Sequence, residues 1–183
     1  MRAIEAARAV AHVCDAQASD VYQWARILTK NGLAPSAQET INAQEIFDLI
    51  CAVALAEREG DIVGVVNECQ RLKMLGVPSG NDDRQEAPRD LFARIFDKSE
   101  SLGCFGIIFA KSAGRPYVTF RYASPARGGR EFEVMTTFST CTSWGAYSRW
   151  SFEISPAGIF VLREMWIARL NVGATAPFEE LGQ

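Results

Sequence analysis

The sequence predicts an α+β protein, with a helical front followed by a small antiparallel sheet that a C-terminal helix packs. Three observations lead there. Apolar residues recur at three- and four-residue spacing from the N-terminus to about Gly103. Beyond Gly103 the chain turns to short runs rich in aromatic and β-branched residues, punctuated by Gly and Pro. Ser155-Pro156 then restarts a helical pattern, with serine as cap and proline in the first turn. At 183 residues, 48% hydrophobic and 22% charged, the chain can bury a core, which excludes disordered and collagen-like or mucin-like organisation.

Taken in order, Ile4, Ala7, Val10, Ala11 and Val13 define a first amphipathic helix over 3–13. A second is expected over 19–31, with Ser19 as N-cap and Val21, Trp24, Ala25 and Leu28 on the core stripe. Gly32 is its left-handed stop and Leu33 the following apolar contact. After a polar excursion at 34–41, Asn42 and Glu45 form a capping box, and Ile41 and Ile46 fit a hydrophobic staple. The run from Ile46 to Leu55 is apolar on more than one side, so this third helix should be the hub. A fourth helical stripe runs from Ile62 through Val65, Val66, Cys69 and Leu72 to Leu75, ending at Gly76. Residues 77–87 have the Pro, Gly, Asn and Asp of a linker, and Pro88 opens a helix that reaches towards Gly103. Strands are expected at 104–110, 117–122, 131–138 and 147–154. The last helix, 156–170, should lay Ile159, Phe160, Leu162, Met165, Trp166, Ile167 and Leu170 on the sheet, with 171–183 as a loose tail. The expected organisation is therefore a helical domain at 1–76 and an α+β domain at 88–170.

The chemistry is sparse. The lone histidine, His12, and five scattered cysteines without a CxxC pair exclude the ordinary zinc and nucleophile–histidine arrangements. GxxxxGK[ST] and GxSxG are absent. The carboxylates Glu131 and Glu133 share a strand face, where solvated outward positions are the simplest reading. No enzyme, metal or cofactor is expected. No apolar run approaches the roughly 18 residues of a membrane span, and the first residues lack an apolar signal core, so a cytoplasmic protein is expected. Net charge is −3, with four basic against seven acidic residues in 1–57 and eight against four in 104–170. The basic excess lies around Arg115, Arg121, Arg127 and Arg130, interleaved with Tyr117, Phe120 and Tyr122, a composition that suits phosphate contact and base stacking as well as a solvated sheet face.

The order helix, turn, helix, Gly32-Leu33, Pro35, polar excursion and capped third helix resembles a winged helix-turn-helix of the broad MerR and terminase-small-subunit kind, over about residues 1–57. The stretch Ala25-Arg26-Ile27-Leu28-Thr29-Lys30-Asn31-Gly32-Leu33-Ala34-Pro35 is similar in layout to that of short phage and prophage proteins. The resemblance implies that helix 19–31 enters a DNA major groove and that 34–41 is the wing. Ser19, Gln23, Arg26, Thr29 and Lys30 are then the positions left exposed for DNA. Gln23 and Arg26 would read base edges, and Ser19, Thr29 and Lys30 would hold phosphates. The function expected is non-enzymatic binding of double-stranded DNA by a homo-oligomer, as a transcriptional regulator or a packaging recognition subunit. The alternative is a protein-binding accessory, such as an inhibitor of a host defence complex, using the acidic front.

Overall fold

The computed structural model describes residues 1–75, 86–96, 104–112, 114–125, 131–140 and 150–172. Helices α1 (Ala3–Val13), α2 (Ala18–Lys30), α3 (Ala43–Leu55), α4 (Ile62–Gln70) and α5 (Pro88–Phe96) precede a five-stranded antiparallel sheet closed by α6 (Pro156–Val172). The strands are β1 (Lys73–Met74), β2 (Cys104–Ser112), β3 (Arg115–Pro125), β4 (Glu131–Ser139) and β5 (Trp150–Ile154), in spatial order β1-β4-β3-β2-β5. The mixed helix and antiparallel-sheet class is as the sequence predicts.

Local signals account for most of the ends. Asn42 Oδ1 accepts the Glu45 backbone N–H at 2.9 Å while Glu45 Oε2 accepts that of Asn42 at 2.7 Å, so the capping box of α3 is complete. At the end of α2, Gly32 adopts φ +71°, its N–H donates to Thr29 O at 3.0 Å, and Leu33 N–H donates to Leu28 O at 2.9 Å. That is the paired hydrogen bonding of a Schellman stop, with Leu33 packed against the core. Ser19, in contrast, is not the cap of α2. Gln17 holds that position, and the Ser19 hydroxyl donates to Asp20 Oδ1 at 3.2 Å.

Four residues, Cys14 to Gln17, join α1 to α2. Asp15 among them has φ +49°, a left-handed conformation that short polar residues tolerate and β-branched residues resist. Asp15 is exposed, so backbone preference alone should govern substitution there. Asp15→Val is expected to lower the unfolding free energy by about 1–2 kcal/mol, whereas Asp15→Gly leaves it unchanged or slightly higher. Urea denaturation of both variants tests this, and equal midpoints would contradict it.

Three further expectations are corrected. The fourth helix stops at Gln70 rather than reaching Leu75, because Lys73 and Met74 pair with Ser139 and Phe138, and Leu75 N–H donates to Thr137 O at 2.8 Å. An unfilled sheet edge offered these backbone groups partners that one more helical turn could not improve on. The excursion 34–41 is not a two-stranded wing. Its carbonyls cap α1 instead, Glu39 O accepting from Ala3 N–H at 2.9 Å and Ala37 O from Ile4 N–H at 3.2 Å, with one bridge between Arg2 and Thr40. Phe160 is 62% exposed and does not lie on the sheet, although Ile159 and Leu162 of the same helix are buried.

The core is continuous across the proposed boundary at 77–87. Phe47 of α3 lies 5.4 Å from Phe92 of α5, 5.9 Å from Phe109 of β2 and 6.4 Å from Phe120 of β3, ring centre to ring centre. Phe120 in turn meets Phe138 of β4 edge-on at 5.7 Å. Helices and sheet therefore share one apolar cluster, with α3 at its centre. The expected linker is described only from Glu86 on, and the expected tail lies outside the described residues beyond Val172.

Candidate nucleic-acid interface

The helix α2 is anchored by Val21 and Leu28, both fully buried, with Trp24, Ala25 and Ile27 half-buried beside them. That anchoring turns Gln23, Arg26 and Lys30 outward, at the spacing of three and four residues that places side chains on one helix face. Together with Ile27 they line an open depression of about 320 Å³. Among the described residues neither Arg26 nor Lys30 has a hydrogen-bond or ion-pair partner, so two exposed cations stand one turn apart on this edge. Gln23 differs, because its Nε2 donates to Glu59 Oε1 at 2.9 Å, across to the 3-10 turn Glu59–Asp61 that leads into α4.

Two of the five residues expected on this edge serve other ends. The Thr29 hydroxyl lies 2.9 Å from Ala25 O and 2.8 Å from Pro35 O, so its one proton is held between backbone carbonyls and the residue ties the end of α2 to the chain that follows. It is half-buried and not available to a phosphate. Ser19 is exposed at the start of the helix and bonded to Asp20, which sets a carboxylate beside it.

Arg115 and Arg121 of the sheet form no common surface with α2. Side chains alternate along β3, and Val118 and Phe120 face the helices, which turns Arg115 and Arg121 to the opposite face. Arg121 reaches over β2 to Glu153 of β5, Nη1 to Oε1 at 3.7 Å. The space for this comes from Gly106 between them, where a Cβ would stand 3.0 Å from the Glu153 carboxylate. Arg121 is thus engaged within the sheet. Arg127 and Arg130 lie outside the described residues, as do the side chains of Glu131 and Glu133.

Two features escaped the sequence reading. Glu59 was one polar residue in a loop, and nothing in its spacing connects it to Gln23, 36 positions away. Asp48, inside the apolar run of α3, is 1% exposed. It accepts from Gln70 Nε2 at 2.8 Å and lies 3.5 Å from Arg89 Nη2, while its Oδ1 and Arg89 Nε have no hydrogen-bond partner among the described residues. Burial pushes its carboxyl up to about 6, against the opposing pull of the Arg89 charge and the Gln70 hydrogen bond. A lone aspartate at a helical position flanked by Phe47 and Leu49 was the only available signal.

Cys14, Cys51 and Cys69 are buried free thiols, and burial raises Cys14 to about 12. His12 is exposed. Among the described residues no cluster of three or more His, Cys, Asp and Glu is arranged to hold a metal ion. Nor is any described helix long and apolar enough to cross a membrane. No protein-family model, curated relative or solved structure matches the chain.

Proposed function

We propose that this chain is a non-enzymatic protein that binds double-stranded DNA by laying α2 in the major groove. The observation that carries the reading is the helix-turn-helix layout at the N-terminus. A four-residue turn with a left-handed Asp15 joins α1 to α2, and α2 presents Gln23, Arg26 and Lys30 on the edge opposite its buried Val21 and Leu28. Arg26 is suited to a guanine edge or a phosphate and Lys30 to a phosphate, while Gln23 is suited to a base. The helix is long enough to expose three successive turns to a groove about 12 Å wide.

Two cations per chain are a weak foothold, and the front half is acidic, so binding is expected to need two or more copies acting together. The setting in a phage or prophage, as regulator or packaging subunit, is part of the same proposal and has only the layout of residues 25–35 behind it. The absence of a basic wing leaves α2 as the main contact, which makes the reading sharp to test.

Fluorescence anisotropy on a random duplex should show binding at low salt that weakens as salt rises. The double variant Arg26→Ala/Lys30→Ala should lower the slope of log K against log salt by about 0.9 for each phosphate that is no longer neutralised. Light scattering on the same samples gives the number of copies bound. A wild-type protein indifferent to duplex DNA at low salt overturns the reading and leaves a protein partner, for which the acidic Glu59 beside Gln23 would be the first place to look.

A further inference from the structure

We infer that Glu59 is a positioning residue that fixes Gln23 as a reader of adenine, an assignment that rests on α2 being the DNA-contacting helix. A glutamine amide looks nearly the same either way round, and a free one on a helix surface rotates between donor-outward and acceptor-outward poses. Here the ambiguity is removed by chemistry. The ionised Glu59 carboxylate can only accept, so the side of the Gln23 amide that faces it at 2.9 Å must be the NH₂ group. The amide oxygen is thereby turned away from Glu59, with the second N–H left over.

One acceptor and one donor on the open edge of an amide match adenine in the major groove, whose N6 amino group donates and whose N7 accepts. Guanine offers two acceptors there, and would leave the Gln23 oxygen facing another oxygen. Ile27, one turn further along α2 and lining the same depression, supplies an apolar contact for the methyl group of the paired thymine. Glu59 also has an electrostatic effect of opposite sign, since a carboxylate beside the backbone repels phosphate. Positioning and repulsion can therefore be separated by experiment.

The test is selection from a random duplex library at low salt with the full chain, comparing wild type, Gln23→Ala, Glu59→Ala and Glu59→Gln. Wild type should enrich adenine at one position, and Gln23→Ala should abolish that enrichment. Glu59→Ala should lower the preference at that position at least about fivefold, the lower end of what a bidentate base contact provides, while affinity for random duplex rises. Glu59→Gln should lower the preference as well, because an amide at this position can donate to the Gln23 oxygen as readily as it accepts from the Gln23 NH₂ group and no longer fixes which way round Gln23 stands. A Glu59→Ala protein that retains the full preference overturns the inference while leaving DNA binding intact, and so does the lack of any adenine position that depends on Gln23. Failure of the wild type to retain any duplex overturns the assignment of α2 itself.

Discussion

Replacing Phe47 by alanine is expected to lower the unfolding free energy by about 3–5 kcal/mol, the range for removing a large aromatic side chain from a packed interior. Phe47 is fully buried, and its ring touches aromatic neighbours on α5, β2 and β3, so no single element can move in to fill the space. A loss of this size is a large share of the 5–15 kcal/mol that holds a typical domain together. Phe47→Leu, which keeps most of the apolar volume, should fold and lose distinctly less. Phe160→Ala, at a position 62% exposed, should change stability by no more than about 0.5 kcal/mol. Urea denaturation of the three variants provides the comparison. Equal, small losses at Phe47 and Phe160 would mean that the helices and the sheet do not share a core.

Asp48 should make the protein less stable as pH rises from about 4 to about 6. Its carboxyl titrates near 3.8 in the unfolded chain and near 6 in the folded one, so in that window the folded state binds the extra proton. The stabilisation of the protonated form is complete below the lower value and lost above the higher, a difference of roughly 3 kcal/mol. Other carboxylates titrate in the same interval, so the informative quantity is the difference between wild type and Asp48→Asn. The asparagine oxygen can still accept from Gln70 but carries no charge to bury. Relative to that variant, wild type should lose stability steadily between about pH 4 and about pH 6 and level off above that. Parallel curves over this range would show that Arg89 and Gln70 compensate the buried charge completely. The arrangement fits the general behaviour of buried ion pairs, whose desolvation often outweighs their attraction.

The N-terminal half was legible wherever a local interaction decides the outcome. The bounds of α1, the capping box at Asn42 and Glu45 and the glycine stop at Gly32 all follow from residues within a few positions of each other. Strands β2 to β5 followed from the change of period and composition after Gly103. The exposed positions Gln23, Arg26 and Lys30 could be assigned from the helical stripe alone. Misreadings arose where a distant segment offered something better. Thr29 reads as exposed from helical spacing alone, because its carbonyl partner Pro35 enters only after the chain reverses. The segment 34–41 was expected to be a wing because nothing nearby shows that the N-terminus of α1 needs its carbonyls.

What the sequence determined by itself, then, is the class of the fold, the bounds of α1, the stop of α2, the start of α3 and the outward edge of α2. Periodicity, capping and turn chemistry act within one or two helical turns, and a linear reading contains all the participants. The tertiary structure alone decided that Lys73 and Met74 complete the sheet and that Glu59 reaches Gln23. It also placed Arg121 on the sheet face away from α2 and Asp48 in the interior beside Arg89. Each of those outcomes depends on groups far apart in the chain competing for a hydrogen bond, a counter-charge or shelter from water, and the winner is set by which surfaces meet.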